Sequence, residues 1–562
     1  MTEETCDVLV LGSGAAGLVC AATAALAGLR VIVAEKTEFL GGTTALSEGM
    51  IWVPGSHHAV AAGIVDPPEA AMAYVRAVAG KCHDPERTRA YLTRGPEMLR
   101  YLETETAVRY SLSRYSPDYY SGAEGATVGK RALNPAVFDA RRLGPLFSLI
   151  RPPLDSTLVL GGMTITGHDL GHFFRIGRSA RSTWHVARMV ARYAWDRAGG
   201  ATRGLRIGNG AGVIGALLLT LQDKGARVWR NAGAVALLQD GVRVAGATLM
   251  RDGVPVQVRA ARGVLLACGG APGDDAFRAR HYAHVAAGKP HVSLAPATNT
   301  GDGLRLAQAL GARLDTSLSQ PAAWSPASLV PQPDGSLSPF PHYIDRAKPG
   351  IIAVDQRGQR FVNEACPYQE FVPAMVAAGM ADPAVSCWLI ADHPAQRRYG
   401  LGAAPPWPGR LASVQRSGYL ISARTLAELA GKLGLDAGAL QATVARFNAS
   451  AVRGADPEFG RGTTPYDRAY GDAAHGPNPC LGPLDTGPFH AVKLHPGDIG
   501  TFHGLAADAE ARVLRDDGPI PGLYVAGNDM VSLFGGTYPA AGITVGSAMT
   551  FGYTAARHML RS

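Results

Sequence analysis

Apolar residues along this chain come in short runs that end on glycine. Val8–Leu11 is such a run and Gly12 closes it, which reads as a buried strand ending in a tight turn. Leu18–Leu26 has helical composition, Gly28 ends it, and Arg30–Ala34 is a second apolar strand closing on Glu35. The stretch Val8–Ala34 is apolar enough to imitate a membrane span, but its glycines and Arg30 divide it into strand, turn and helix. The same strand-then-glycine pattern returns in GVLLACGGAPGD (263–274) and IPGLYVAGND (520–529). GDGLRLAQALGARLD (301–315) predicts a glycine-capped amphipathic helix and a short strand, and a last helix is expected from about Ile543. Residues 395–485 carry many Pro, Gly and Arg breaks and read as loop-rich. The expected class is α/β (α+β), with a Rossmann-like domain whose pieces lie far apart in the chain.

Composition narrows this picture without redirecting it. The chain has 562 residues, 47% of them hydrophobic, enough for a large core and more than one domain. The net charge is +8, but the basic residues are scattered and no recognition motif accompanies them, so no nucleic-acid partner is expected. Seven cysteines, widely spaced and without a CxxC, argue against a disulfide scaffold, a zinc site or an iron–sulfur site. The start MTEETCD is acidic where a secretory signal would be basic, and a soluble cytoplasmic protein is the expectation.

The first chemistry lies in Gly12-Ser-Gly14-Ala-Ala-Gly17. Gly12 makes the tight turn, Gly14 lets backbone approach a pyrophosphate, and Gly17 lets helix pack on strand. The pyrophosphate would rest on the helix N-terminus, and Glu35 is placed for a ribose hydroxyl. A second glycine-rich stretch follows at once, Gly41-Gly42-Thr43-Thr44 and then Ser47-Glu48-Gly49. Two such loops in succession fit a long cofactor, FAD rather than NAD. The cofactor set expected is Gly12, Gly14, Ala15, Ala16, Gly17, Glu35, Lys36, Gly41, Gly42, Thr43, Thr44, Ser47, Gly49, Gly269, Gly270, Asn299, Asp302, Gly527, Asn528, Gly542, Thr544 and Val545. Trp52 is expected to pack near the flavin. His168 and His172 have the spacing of a helical metal pair, but Gly167 and Gly171 weaken a helix there and no metal site is expected.

The segments GSGAAG, GGTTALSEGMIWVP, RFVNEACPY, GLYVAGN and TYPAAGITVGSAMTFG together resemble the fumarate reductase/succinate dehydrogenase flavoprotein superfamily, and within it the 3-ketosteroid Δ1-dehydrogenases. The resemblance is dense over 1–60, 260–312, 350–370 and 485–560. It implies a discontinuous FAD domain at 1–316 and 486–562, with an insertion at about 110–205, and an inserted cap at 317–485. Where the reductases carry an arginine after Phe-Val-Asn-Glu, this chain has Tyr368; where they carry a histidine, it has Ile499 and Gly500. A neutral ketone therefore fits better than a dicarboxylate.

The resemblance implies Tyr368 as general base, a supporting tyrosine at Tyr119 with Tyr120 as alternative, and a carbonyl clamp from the Tyr538 hydroxyl and the Gly542 amide. The implied reaction is introduction of a 1,2 double bond into a 3-ketosteroid or similar cyclic ketone, with non-covalent FAD and an external acceptor such as a quinone. Two other readings stand beside it: an enoate or fumarate-type reductase, and a flavin-binding protein without turnover. The family loop Tyr-Ala-Gly-Pro-Gly-Ala is here Tyr538-Pro-Ala-Ala-Gly542-Ile, so Pro539 fixes φ beside the clamp. The segment 141–163, basic and apolar together, reads as a packed insertion or as a substrate-access or peripheral membrane element.

Overall fold

The computed structural model describes residues 2–113, 115–173, 175–177 and 179–561. Its main sheet has eight strands drawn from both ends of the chain. The strand Thr2–Leu11 lies between Val254–Leu266 and Val31–Ala34, parallel to both. Gly518–Val525 extends the sheet on one side and Arg227–Trp229 on the other, again in parallel. The strand begins at Thr2, earlier than its apolar core Val8–Leu11, because the polar half pairs in register with Val256–Ala260.

Parallel strands buried on both faces read as continuous apolar runs, and the residues Val8–Leu11 and Val264–Leu266 are almost fully buried. The helix Ala15–Leu26 starts directly after the glycine turn. It packs on the closing helix Ile543–Met559 so closely that a Cβ on Gly552 would stand 2.3 Å from Ala16 O. Gly17 is needed for the same reason, since its Cβ would be 2.0 Å from Gly12 O.

A second, four-stranded antiparallel sheet is made by Ile351–Val354, Cys387–Ala391, Phe489–Leu494 and Ile421–Ala423. Behind it lie the helices Leu426–Leu433 and Ala437–Ala451, so this region holds more helix than its Pro and Gly content led us to expect. A buried ion network joins the segment before Tyr368 to this region: Arg360 holds both Glu364 and Asp456, and Arg461 also reaches Glu364 at 3.1 Å. These guanidinium groups hold the Glu364 carboxyl below its usual range even though burial pushes the other way. Buried charges kept in pairs fix the position of Asn363–Tyr368 relative to the sheet. Among the described residues no helix is long and apolar enough to cross a membrane.

Candidate active site

One cavity of about 540 Å³ runs from the glycine turn to the second sheet. Of the expected cofactor residues, Gly12, Gly14, Ala15, Ala16, Glu35, Lys36, Gly42, Thr43, Thr44, Ser47, Gly49, Gly269, Asn299, Asp302, Gly527, Asn528, Gly542, Thr544 and Val545 line it. Gly17, Gly41 and Gly270 stand behind that lining, where side chains would meet Gly12 O, Ala45 and Thr501. Gly14 and Gly42 face one another, with a Cβ on Gly42 only 3.7 Å from Gly14 Cα. The turn is glycine backbone at a helix N-terminus, with only the Ala15 N–H given to a side chain, Thr44 Oγ1 at 3.1 Å, which suits a pyrophosphate. Glu35 is held by Ser13, whose hydroxyl donates to Oε2 at 2.6 Å, and by Thr37 on Oε1; it still opens on the cavity. These residues fit FAD.

Asp529, which the sequence did not single out, organises the far side of that cradle. It is fully buried, and its Oδ1 and Oδ2 accept the N–H groups of Gly270 (3.0 Å) and Cys268. Burial pushes its carboxyl up to about 6 despite those two amides. An asparagine there presents an NH2 where a second amide must be accepted. Asp529→Asn is expected to weaken FAD binding about 10-fold, read as the dissociation constant from quenching of flavin fluorescence.

At the other end of the cavity three tyrosines converge. Tyr368 opens the helix Tyr368–Gly379, Tyr119 comes from the loop before Gly122, and Tyr538 comes from the loop before the closing helix. The Tyr119 and Tyr368 hydroxyls are 3.2 Å apart. The Tyr538 ring lies 5.1 Å from that of Tyr368 and stacks on Tyr119 at 5.7 Å. Tyr120 does not line the cavity; its N–H is 3.2 Å from the Tyr74 hydroxyl. The Tyr119 N–H donates to Pro539 O at 2.7 Å, so the residue where the loop departs from its family braces Tyr119. Burial raises the phenols of Tyr119, Tyr368 and Tyr538 above their ordinary value. Gly542 takes φ +91° as N-cap of the closing helix, and its N–H has no acceptor among the described residues.

Four more lining residues escaped the sequence reading: Tyr343, Tyr470, Lys348 and Glu48. Glu48 is exposed toward the cavity, and desolvation there raises its carboxyl. The insertion reaches the cavity as well, through Arg151, Leu154, Thr157 and Thr164–Gly167. Trp52 stands directly behind the cavity wall. It does not line the cavity but is buried behind it, donating Nε1–H to Asp118 at 2.9 Å and its backbone N–H to Gly542 O.

The histidine pair needs correction. His168 and His172 do share a helix, Gly167–Phe173, because Thr166 and Asp169 cap its start reciprocally. The carboxylate there is engaged by Arg206 and His185. Elsewhere, His57 and His58 both place Nε2 on Glu103 Oε2, at 2.7 and 2.9 Å, a grouping hidden in sequence by the distance between partners.

A pyrophosphate cradle that opens into a tyrosine-lined pocket defines a flavoprotein oxidoreductase. A family model described as FAD binding domain matches residues 7–545, and the chain belongs to that family. It is 39% identical over 558 residues to the 4-oxocyclohex-2-ene-1-carboxylate 5-dehydrogenase of Sinomonas cyclohexanicum, covering 99% of this chain and 94% of that one. It is 38% identical to the 3-oxosteroid 1-dehydrogenase of Mycobacterium tuberculosis, over 100% and 99% of the two chains. The crystal structure of 3-ketosteroid delta1-dehydrogenase from Sterolibacterium denitrificans in complex with 1,4-androstadiene-3,17-dione superposes with a TM-score of 0.90 at 34% identity, covering 99% and 100%. The protein is an FAD-dependent oxidoreductase of the 3-ketosteroid dehydrogenase type.

Proposed function

We propose that this enzyme introduces an α,β double bond beside the carbonyl of a ring ketone. The observation that carries the reading is the meeting of Tyr119, Tyr368 and Tyr538 beside the unbonded amide of Gly542, in the cavity that also holds the dinucleotide cradle. FAD, when bound, supplies the two-electron acceptor that takes hydride from the β carbon.

The chain's own residues do the rest. Tyr538 Oη and Gly542 N–H donate to the carbonyl oxygen and stabilise the charge that grows there as the enolate forms. Tyr368 Oη, in its phenolate form, takes the α proton and becomes the neutral phenol. Tyr119, its hydroxyl 3.2 Å from Tyr368 Oη, donates to that oxygen and holds it toward the α proton. The apolar walls keep water from the reacting carbons.

In the same reading FAD is bound non-covalently, residues 1–316 and 486–562 form the flavin domain, 317–485 the cap, and a quinone or similar external acceptor removes the electrons. The segment 151–167 is a substrate-access element, since it reaches the cavity; peripheral membrane contact by the surrounding insertion rests on its basic and apolar composition alone. A dicarboxylate reductase is disfavoured because the cavity's lining cations among the described residues are Lys36, Arg151 and Lys348, with no arginine beside the tyrosines.

The test is anaerobic titration with cyclic ketones, 4-oxocyclohexanecarboxylate and androst-4-ene-3,17-dione among them, while the flavin absorbance is followed. Bleaching with formation of the conjugated enone is expected. No bleaching by any cyclic ketone overturns the reading, and re-oxidation of dithionite-reduced enzyme by fumarate would favour the reductase instead.

A further inference from the structure

We propose that the cap-side end of the cavity is an anion subsite built on Lys348, and that the ketone this enzyme takes carries a carboxylate on the ring position away from its carbonyl. The proposal rests on the desaturase reading above and names the substrate class for that same site.

Lys348 lines the cavity between the tyrosines and the second sheet. Its Nζ donates to two backbone carbonyls, Tyr470 O at 2.6 Å and Gly471 O at 2.7 Å. An ammonium has three donors, so one is left. Lys348 makes no ion pair: the lysines paired with carboxylates among the described residues are Lys36 and Lys432. The nearby acids are engaged elsewhere. Asp345 Oδ2 receives His342 Nδ1 at 2.7 Å and Gly402 N–H at 3.0 Å. Asp472 Oδ2 receives the Tyr399 hydroxyl at 2.7 Å and pairs with Arg398.

A cation removed from water without a paired anion is costly, and proteins ordinarily pair such groups. Desolvation lowers Lys348 to about 8, so it stays mostly protonated at neutral pH. An arriving carboxylate would complete its shell.

The other two cations of the cavity serve its opposite end. Lys36 is tied to Thr300 and Asp302, and Arg151 to Thr37. Lys348 is therefore the positive charge on the substrate side. It is joined to the chemistry through two residues: Tyr470, whose carbonyl it holds, packs its ring 4.8 Å from Tyr466, which meets Tyr119 at 4.7 Å. A ring whose ketone is gripped at Tyr538 and Gly542 would turn its far side toward that ammonium. The Sinomonas cyclohexanicum relative is named for a substrate with a ketone and a carboxylate at opposite positions of a six-membered ring.

The holoenzyme is assayed with 4-oxocyclohexanecarboxylate and its methyl ester, and inhibition by cyclohexanecarboxylate is set against that by cyclohexanecarboxamide. The acid is expected to exceed the ester in kcat/KM by about 10- to 100-fold, and the carboxylate to inhibit more strongly than the amide. Lys348→Met is expected to collapse both ratios toward one, and Lys348→Arg to keep part of them; FAD content reports that each variant is folded. Equal use of acid and ester by the wild-type enzyme, or an unchanged ratio in Lys348→Met, overturns the proposal. Bleaching by androst-4-ene-3,17-dione without bleaching by the keto acid overturns it while leaving the desaturase reading intact. Bleaching by no ketone removes both.

Discussion

Replacing Tyr368 by phenylalanine is expected to lower the rate of ketone-driven flavin reduction about 100- to 10,000-fold with FAD still bound, the range expected for loss of a general base. The change removes one oxygen and keeps the ring, which packs 4.9 Å from Tyr343 and 5.1 Å from Tyr538. The Tyr368 hydroxyl lies 3.2 Å from that of Tyr119, and the retained ring keeps the packing, so the surroundings need not rearrange. The sign of the pH dependence follows from the same burial. Tyr368 is held above the ordinary phenol value, so its basic form grows as pH rises, and kcat/KM of the wild type should climb toward alkaline pH. Tyr368→Phe should lose that rise along with the rate. Anaerobic stopped-flow absorbance over a pH series measures both, and turnover retained in the variant excludes Tyr368 as the base.

What could be read from sequence was local, and what could not was carried by contacts between distant segments. The turn at Gly12–Gly17, the helix after it and the strand that follows lie within one continuous stretch, and each glycine there has a task set by its immediate neighbours. Tyr368 stood out because it replaces an arginine inside an otherwise matching motif. The choice between Tyr119 and Tyr120 needed the fold, since adjacent residues in a loop face different ways and only packing decides which enters the cavity.

Asp529 reaches a glycine turn 259 residues away at Gly270, and nothing in its own segment points there. Lys348 is invisible for a related reason: a lysine matters here only because its Nζ donates to two carbonyls and pairs with no carboxylate among the described residues. The helices behind the second sheet did leave a signal that Gly and Pro content obscured. Thr425 and Asp436 each accept an N–H from the third residue on, as N-caps do. Thr166 and Asp169 cap the short histidine helix in the same way, which outweighs the cost of Gly167 and Gly171.

Gly542→Ala is expected to cost kcat/KM about 100- to 1,000-fold, as much as the loss of a donor at a developing oxyanion, although a methyl group removes no polar atom. The cause is space and backbone conformation together. Gly542 sits at φ +91°, and a Cβ there would stand 2.6 Å from the backbone of Met50 and Ile51. Those atoms belong to a segment whose strand pairs Ile51 with Leu133, so no flexible side chain is available to move aside. The loop must yield instead. The Trp52 N–H bond to Gly542 O would stretch, the Gly542 amide would leave the carbonyl oxygen, and Thr544 and Val545 would shift from the flavin side of the cavity.

Tyr538→Phe separates these effects. It deletes the other donor to the same oxygen and leaves the backbone where it was, so its loss should fall in kcat/KM without loss of FAD. Gly542→Ala should show the kinetic loss together with a lower Tm and weaker FAD retention. If Gly542→Ala lowers Tm but leaves kcat/KM intact, the amide is not the second donor and the clamp reduces to Tyr538 alone.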